Sequence, residues 1–129
     1  MQIDSLPFAK LMGVTVVSVA PDLVIGELKV REDLCTRPAV LHGGAYMAFA
    51  DTIGAVATVA NLKDGETTTT IESKTNFFAA IPLGDTARAE CSALHKGRTT
   101  MVWQTRITRG DGRLAALVMQ TQMVLKARG

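Results

Sequence analysis

Residues 43–62 decide the fold of this chain and read GGAYMAFADTIGAVATVANL. Asp51 is the one charged residue among them, and the rest are mainly small or apolar. The stretch is long enough to span a bilayer. However, a central carboxylate costs roughly 2.5–3.5 kcal/mol on insertion, and neither a basic flank nor a second span supports membrane insertion. A helix that is apolar on nearly every side belongs inside a protein. We therefore predict a buried central helix whose small residues let a curved sheet enclose it closely.

Two strand-like runs precede this helix. Residues 14–19 and 23–30 are rich in β-branched residues and are separated by Pro21-Asp22, which predicts a hairpin. Before the hairpin, residues 5–12 fit a short helix capped by Ser5, with Pro7 in its first turn.

Four further strand-like runs follow the helix and are separated by turns that contain glycine. They cover residues 67–78, 85–95, 99–108 and 113–125. The last three alternate in polarity, and the final run places Leu117, Met119, Met123 and Leu125 on one face. One helix for six strands fits parallel βαβ winding poorly. The prediction is an α+β domain in which an antiparallel sheet of about six strands wraps around one long helix.

The composition narrows the class of protein. The chain has 129 residues, 47% of them hydrophobic and 20% charged, and no linker divides it, which predicts a single domain over residues 1–129. Its net charge of +2, without a basic cluster, argues against a nucleic-acid partner. Cys35 and Cys91 cannot build a disulfide framework or a zinc site alone, and the two histidines lack ligand-spaced companions. The N-terminal residues do not resemble a signal peptide, so we expect a cytoplasmic protein.

The candidate chemistry lies at the start of the helix and in its middle. Backbone N–H groups at a helix N-terminus are unpaired and sit at the positive end of the dipole, and Gly43 and Gly44 let a carbonyl approach them closely. This predicts a hole for a developing oxyanion. Asp51, in apolar surroundings, is a candidate nucleophile or general base. Structural roles are open for the same residues, because His42 can cap the helix and a neighbouring Thr can partner Asp51.

Helix geometry separates these two features. Gly43 and Asp51 are eight residues apart, about 12 Å along a helix. If both act on one carbonyl group, they must come from two antiparallel copies of the helix. The spacing therefore predicts a homodimer with two sites shared across its two-fold axis.

The residues also resemble a family. The string LHGGAYMAFADTIG, residues 41–54, is similar to the hotdog-fold acyl-CoA thioesterases of the PaaI-like and 4-hydroxybenzoyl-CoA thioesterase branch. In that branch, a catalytic Asp or Glu follows the His of a His-Gly-Gly by nine residues, as Asp51 follows His42. The similarity extends over about residues 12–125, through ESKTNF at 72–77, LGD at 83–85 and HKGR at 95–98.

The resemblance implies the hotdog fold and hydrolysis of an aryl- or fatty acyl-CoA to free acid and CoA, without a metal or cofactor. Asp51 matches the nucleophile or general base, and Gly43 matches the residue whose N–H polarises the thioester carbonyl. His42 would support that loop or the leaving thiolate. Thr70 matches a residue that holds the attacking water, with Thr69 as the alternative if the register slips by one.

The resemblance also implies a substrate-binding set. Thr36 stands where the family often has Asn or Gln, and Ala79-Ala80 replaces a common Arg-Pro. Lys96, Gly97 and Arg98 fall at a turn that often meets CoA phosphates. The aromatic residues Phe77, Phe78 and Phe49, together with Met47, could line an acyl pocket. The full substrate-binding set comprises Thr36, Gly44, Thr52, Phe77, Lys96, Gly97 and Arg98. The family further suggests a dimer of dimers, hence a homotetramer.

Three alternatives remain open at this stage. A non-catalytic hotdog module would bind acyl-CoA without releasing thiol. A dehydratase of the same fold would remove water from a 3-hydroxyacyl thioester. An inert dimerisation domain would neither bind nor turn over a thioester.

Overall fold

The computed structural model describes residues 3–126 and shows one long helix against one large sheet. A short helix, α1 (Pro7–Met12), precedes the central helix, α2 (Gly43–Val59). The strands are β1 (Thr15–Ala20), β2 (Leu23–Lys29), β3 (Cys35–Thr36), β4 (Val40–Leu41), β5 (Glu66–Phe77), β6 (Thr86–Lys96), β7 (Thr100–Thr108) and β8 (Leu114–Lys126).

Six of the strands form an antiparallel sheet in the order β1-β2-β6-β7-β8-β5. The predicted α+β arrangement of an antiparallel six-stranded sheet around one helix is confirmed. β1 and β5 are the two edges, so one side of the twelve-residue β5 has no strand partner within the described chain. β3 and β4 form a separate small pair just before α2.

The core lies between α2 and one face of the sheet. Phe49, Ile53 and Ala57 of the helix are fully buried, and they face strands that contribute Ala89, Trp103 and other buried residues. Small side chains allow this close packing. At Gly26 of β2, for example, a side chain would overlap Ile53. A buried hydrogen bond from Trp103 Nε1 to Thr58 Oγ1, 2.9 Å long, ties the sheet to the helix.

Three expectations about local structure are wrong, and one element was missed. α1 begins at Pro7 and its N-cap position is Leu6, whereas Ser5 lies in a preceding 3-10 turn (Ile3–Ser5). The stretch predicted as one helix over residues 43–62 leaves helical structure after Val59. Phe49, expected at an acyl pocket, is instead fully buried in the core. The short pair β3 and β4 was not predicted.

On β8 the exposed face is the one with the larger apolar side chains, and the buried face carries polar residues. Leu117, Met119, Met123 and Leu125 share one face, as expected, but that face points away from the core and is partly exposed. The opposite, buried face carries two glutamines among its apolar residues: Ala116, Val118, Gln120, Gln122 and Val124.

Candidate active site

The first turn of α2 presents one free backbone donor. His42 is the N-cap residue, with an extended backbone (φ −63°, ψ 139°), and its Nδ1 accepts a 2.8 Å hydrogen bond from the Gly44 N–H. The Ala45 N–H is paired with the His42 carbonyl. Within residues 3–126, the Gly43 N–H has no acceptor. Because this donor sits at the positive end of the helix dipole, it suits the oxygen of a polarised carbonyl.

The bond to Gly44 also defines the role of His42. Since Nδ1 is an acceptor there, the neutral imidazole carries its proton on Nε2. His42 therefore supports the loop as a cap, while the exposed ring keeps one donor available. Gly44 is taken up by this cap, so Gly43 is the amide left for a ligand.

Cavities lie on both sides of the helix start. One of about 380 Å³ is lined by α1 and by His42, Gly44, Ala45 and Ala48. Another of about 340 Å³ is lined by Gly43 together with Tyr46, Phe77, Phe78, Ala79 and Ala80. The Phe77 ring packs edge-on against Tyr46 at a centroid distance of 5.4 Å. Phe77 and Phe78 both line this second cavity beside Gly43, and both are about half exposed.

Asp51 lies in the middle of α2 and is half-buried. Its Oδ1 accepts a 2.6 Å hydrogen bond from the Thr70 hydroxyl on β5, whereas Oδ2 has no partner among the described residues. Thr69 is exposed, so of the two threonines considered, Thr70 is the one that contacts Asp51. The carboxylate is therefore fixed by one oxygen and free to react through the other.

One chain does not bring Asp51 and Gly43 together. They are separated by eight residues of continuous helix, about 12 Å, and Asp51 lines none of the three cavities described here. The partly exposed face of α2 that contains Asp51 continues through Ala48, Thr52 and Ala55. The Thr52 hydroxyl donates to the Ala48 carbonyl at 2.8 Å and is thereby satisfied within the helix.

The predicted phosphate-binding residues line a third cavity, of about 820 Å³, at the far end of α2. Its charged walls combine the cations Lys63, Arg98 and Lys126 with the acids Asp64 and Glu66, and Gly97 forms the turn. Lys96 also lies there, but its Nζ is paired with Asp22. Thr36 is exposed on β3 and lines none of these three cavities.

Two residues near Asp51 were missed. Gln120 and Gln122 of β8 are fully buried, and Gln122 bonds to Thr70. The available signal was their alternation with Val118 and Val124, which puts two amides on an apolar face. Among residues 3–126 no three metal-ligating side chains cluster, and no helix has the length and apolarity needed to cross a membrane.

The sequence model of the thioesterase superfamily matches residues 39–116, more than half of the chain, so the chain belongs to that superfamily. Together with the helix wrapped by a six-stranded sheet, this defines the class: a hotdog-fold thioesterase, an enzyme that hydrolyses thioesters. The resemblance stated from the sequence is confirmed.

Particular relatives agree with this class. The 1,4-dihydroxy-2-naphthoyl-CoA hydrolase of Listeria monocytogenes is 29% identical over 118 residues, which cover 91% of this chain and 94% of the relative. A thioesterase of Haemophilus influenzae shares the fold at a TM-score of 0.89 and 24% identity, covering 95% of this chain and 85% of that one. The E. coli PaaI protein shares it at a TM-score of 0.89 and 21% identity, covering 96% and 88%.

Proposed function

We propose that this protein hydrolyses an acyl-CoA to the free acid and CoA, with Asp51 as nucleophile or general base. The observation that carries the proposal is the state of Asp51: one charged residue on an otherwise apolar helix, held by Thr70 through Oδ1 and open at Oδ2. A half-buried carboxylate with one free oxygen is suited to accept a proton or to attack a carbonyl.

Two reaction mechanisms are compatible with this geometry, and atoms and charges balance in both. As a base, Asp51 Oδ2 takes a proton from water while the water oxygen attacks the thioester carbon. The tetrahedral oxyanion then collapses to the free acid and expels the CoA thiolate, which takes the proton back from Asp51. As a nucleophile, Oδ2 attacks the carbon and expels the thiolate, and water then cleaves the resulting anhydride. In either route the oxyanion needs a donor, and the Gly43 N–H supplies it.

We further propose that each site is shared between two copies of the chain. The separation of about 12 Å between Gly43 and Asp51 supports this. So does the partly exposed face of α2, which a second, antiparallel helix would cover and thereby bring its Gly43 toward Asp51. The unpaired edge of β5 offers further contact area, with Ile71 55% exposed at its middle. Assembly of such dimers into a homotetramer remains a prediction.

Substrate recognition is proposed at the two ends of α2. Phe77 and Phe78 offer an apolar wall for an aryl or fatty acyl group beside Gly43; the Listeria relative is named for an aryl-CoA. At the other end, Arg98, Lys63 and Lys126 offer cations for CoA phosphates. Lys96 contributes less, because Asp22 already neutralises it.

The first experiment measures thiol release from a panel of aryl- and fatty acyl-CoAs. Asp51→Asn keeps size and polarity but removes the charge, and we expect turnover to fall at least 100-fold with circular dichroism unchanged. The matched control is Asp4→Asn, which neutralises an exposed carboxylate and should leave turnover intact. Full activity of Asp51→Asn contradicts the assignment. Thermal stabilisation by acyl-CoA without thiol release favours the binding module, and water loss from a 3-hydroxyacyl-CoA favours the dehydratase.

The second experiment tests the Gly43 amide and the shared site. Pro is favoured at the first position of a helix, and the extended His42 backbone already suits a following Pro. Gly43→Pro therefore removes the N–H while keeping the helix, and kcat should fall about 10²–10³-fold. Gly43→Ala retains the N–H and adds only a methyl group in ordinary contact with the Phe77 ring, so as the control it should lose much less kcat than Gly43→Pro.

Mixing the two inactive variants then reports where the site lies. If a site joins Asp51 of one chain to Gly43 of the other, each mixed dimer of Asp51→Asn and Gly43→Pro regenerates one intact site. Random re-pairing makes half of the dimers mixed, so about one quarter of the parent activity returns. If both groups came from one chain, no activity would return on mixing.

A further inference from the structure

A continuous hydrogen-bond chain runs beneath α2 from its backbone to its carboxylate. Gln120 Nε2 donates to the Ala50 carbonyl at 2.8 Å. Gln122 Nε2 donates to Gln120 Oε1 and to Thr70 Oγ1, each at 2.6 Å. The Thr70 hydroxyl donates to Asp51 Oδ1 at 2.6 Å. The chain thus starts at the residue before Asp51 and returns to Asp51 through two strands.

Chemistry permits only one direction for these bonds. The Ala50 carbonyl can only accept, so the Gln120 nitrogen must face it and the Gln120 oxygen must face Gln122. That oxygen requires the Gln122 nitrogen, which is shared with Thr70. Thr70 Oγ1 therefore accepts from Gln122, and its single proton is directed to Asp51.

The remaining atom of the Gln122 amide agrees with this direction. Gln122 Oε1 lies 2.9 Å from the Thr68 hydroxyl, whose single proton is shared between this oxygen and the Met123 carbonyl, also at 2.9 Å. Both glutamines are nearly inaccessible, at 1% and 0% exposed for Gln120 and Gln122. Amides buried this deeply are costly unless every group is paired, and these are paired.

We propose that Gln122, held by Gln120, is a positioning residue for the hydrolysis, acting through Thr70. By occupying the Thr70 oxygen as a donor, Gln122 leaves Thr70 no role except donating to Asp51 Oδ1. The carboxylate is then held with Oδ2 toward the reacting thioester. The inference rests on the proposed function, since it assigns the orientation of Asp51 to residues that do not touch the substrate.

Without Gln122, the Thr70 hydroxyl could rotate to other acceptors and the Asp51 side chain would lose its fixed orientation. We expect Gln122→Met to lower kcat about 10- to 30-fold with KM within twofold of the parent, because orientation matters in the reaction and not in binding. Thr70→Val should have a similar effect. A variant that combines Gln122→Met with Thr70→Val should lose no more kcat than either single variant, since Gln122 acts through Thr70.

Conservative and control variants separate this role from a structural one. Thr70→Ser keeps the hydroxyl and should keep kcat within threefold. Thr58→Val removes a different buried helix-to-sheet hydrogen bond, from Trp103, and should lower stability without changing kcat. A kcat loss in Gln122→Met that exceeds the one in Thr58→Val at matched stability supports positioning.

Single removal of one buried partner can itself impair folding, so a second variant is needed. Replacing both glutamines with Met removes the pair together, which is close to neutral for stability when shape is kept. A folded double-Met variant with reduced kcat supports the proposal. Parent-like kcat in either Gln122→Met or the double-Met variant overturns it. If the parent itself releases no thiol from any acyl-CoA, the proposed function fails, and the inference fails with it.

Discussion

Gly54→Ala should destabilise this protein, although the same change in the middle of a helix ordinarily stabilises it. Alanine is favoured over glycine by about 1 kcal/mol in a helix interior. Here the new methyl group would overlap the side-chain amide of Gln120, which is fully buried and cannot swing into solvent. The sign of the change therefore depends on a contact across the helix-to-sheet interface.

The size of the destabilisation follows from the packing and the hydrogen bonds that Gln120 loses. Displacing it strains a packed core, at about 2 kcal/mol, and breaks its bonds to Ala50 and Gln122, leaving buried groups unpaired for about 2 kcal/mol more. Against the helix gain of about 1 kcal/mol, the net loss is about 3 kcal/mol. With a urea dependence of about 2 kcal/mol per molar, the unfolding midpoint should fall by about 1.5 M.

Urea unfolding at one fixed protein concentration measures this, because assembly makes stability depend on concentration. Ala55→Gly, one residue further along the helix, is the control and should cost about 1 kcal/mol through helix propensity, together with the packing of one methyl group where the proposed dimer covers this face. Gly54→Ala combined with Gln120→Ala removes the overlap, so the pair should lose at least about 1 kcal/mol less than the sum of the single changes. A Gly54→Ala protein as stable as the parent would refute the reasoning.

Two further predictions concern stability and pH. The guanidinium of Arg31 donates to the Met12 and Leu11 carbonyls at the end of α1. Arg31→Met should therefore lower the free energy of unfolding by about 1–2 kcal/mol and speed amide hydrogen exchange in α1. Unchanged exchange in α1 would contradict this. Burial raises the pKa of Cys91 from 9.0 to about 11. The folded state thus favours the neutral thiol, and its contribution is complete below pH 9 and is lost as pH rises toward 11. The gap in unfolding free energy between the parent and Cys91→Ala should therefore fall by up to about 3 kcal/mol across that range, and a constant gap would contradict it.

The sequence allowed the sheet, the helix and the family to be predicted because each depends on a local pattern. Alternation in β6 and β7 puts Ala89, Cys91 and Trp103 on the more apolar face of their strands, and all three are fully buried. The spacing from His42 to Asp51 indicated the family through a motif only fourteen residues long. Such patterns can be read from the sequence without knowing which strands are neighbours in the sheet.

Features that depend on strand neighbours could not be predicted in the same way. In β8, alternation identified two faces, but hydrophobicity did not show which one is buried, because Met119 and Met123 on the exposed face are apolar whereas Gln120 and Gln122 on the buried face are polar. Gln120 and Gln122 can be buried because hydrogen-bond partners are available to them inside the protein, including the Ala50 carbonyl on α2 and Thr70 on β5. These groups are 70 and 52 residues away in the chain.

The small residues of α2 connect packing with chemistry. A helix of larger side chains would bury more apolar area, but it would hold the sheet too far away for a glutamine amide to reach a helix carbonyl. Gly54 provides the space, Gln120 fills it with a polar group, and the bonds that satisfy that group lead through Gln122 and Thr70 to Asp51. A charged residue on a nearly apolar helix needs such a fixed partner, since an unpaired carboxylate would be costly to desolvate. The small residues of α2 predict a buried helix from the sequence. We infer that they also allow side chains of the sheet to come close enough to hold the Asp51 carboxylate.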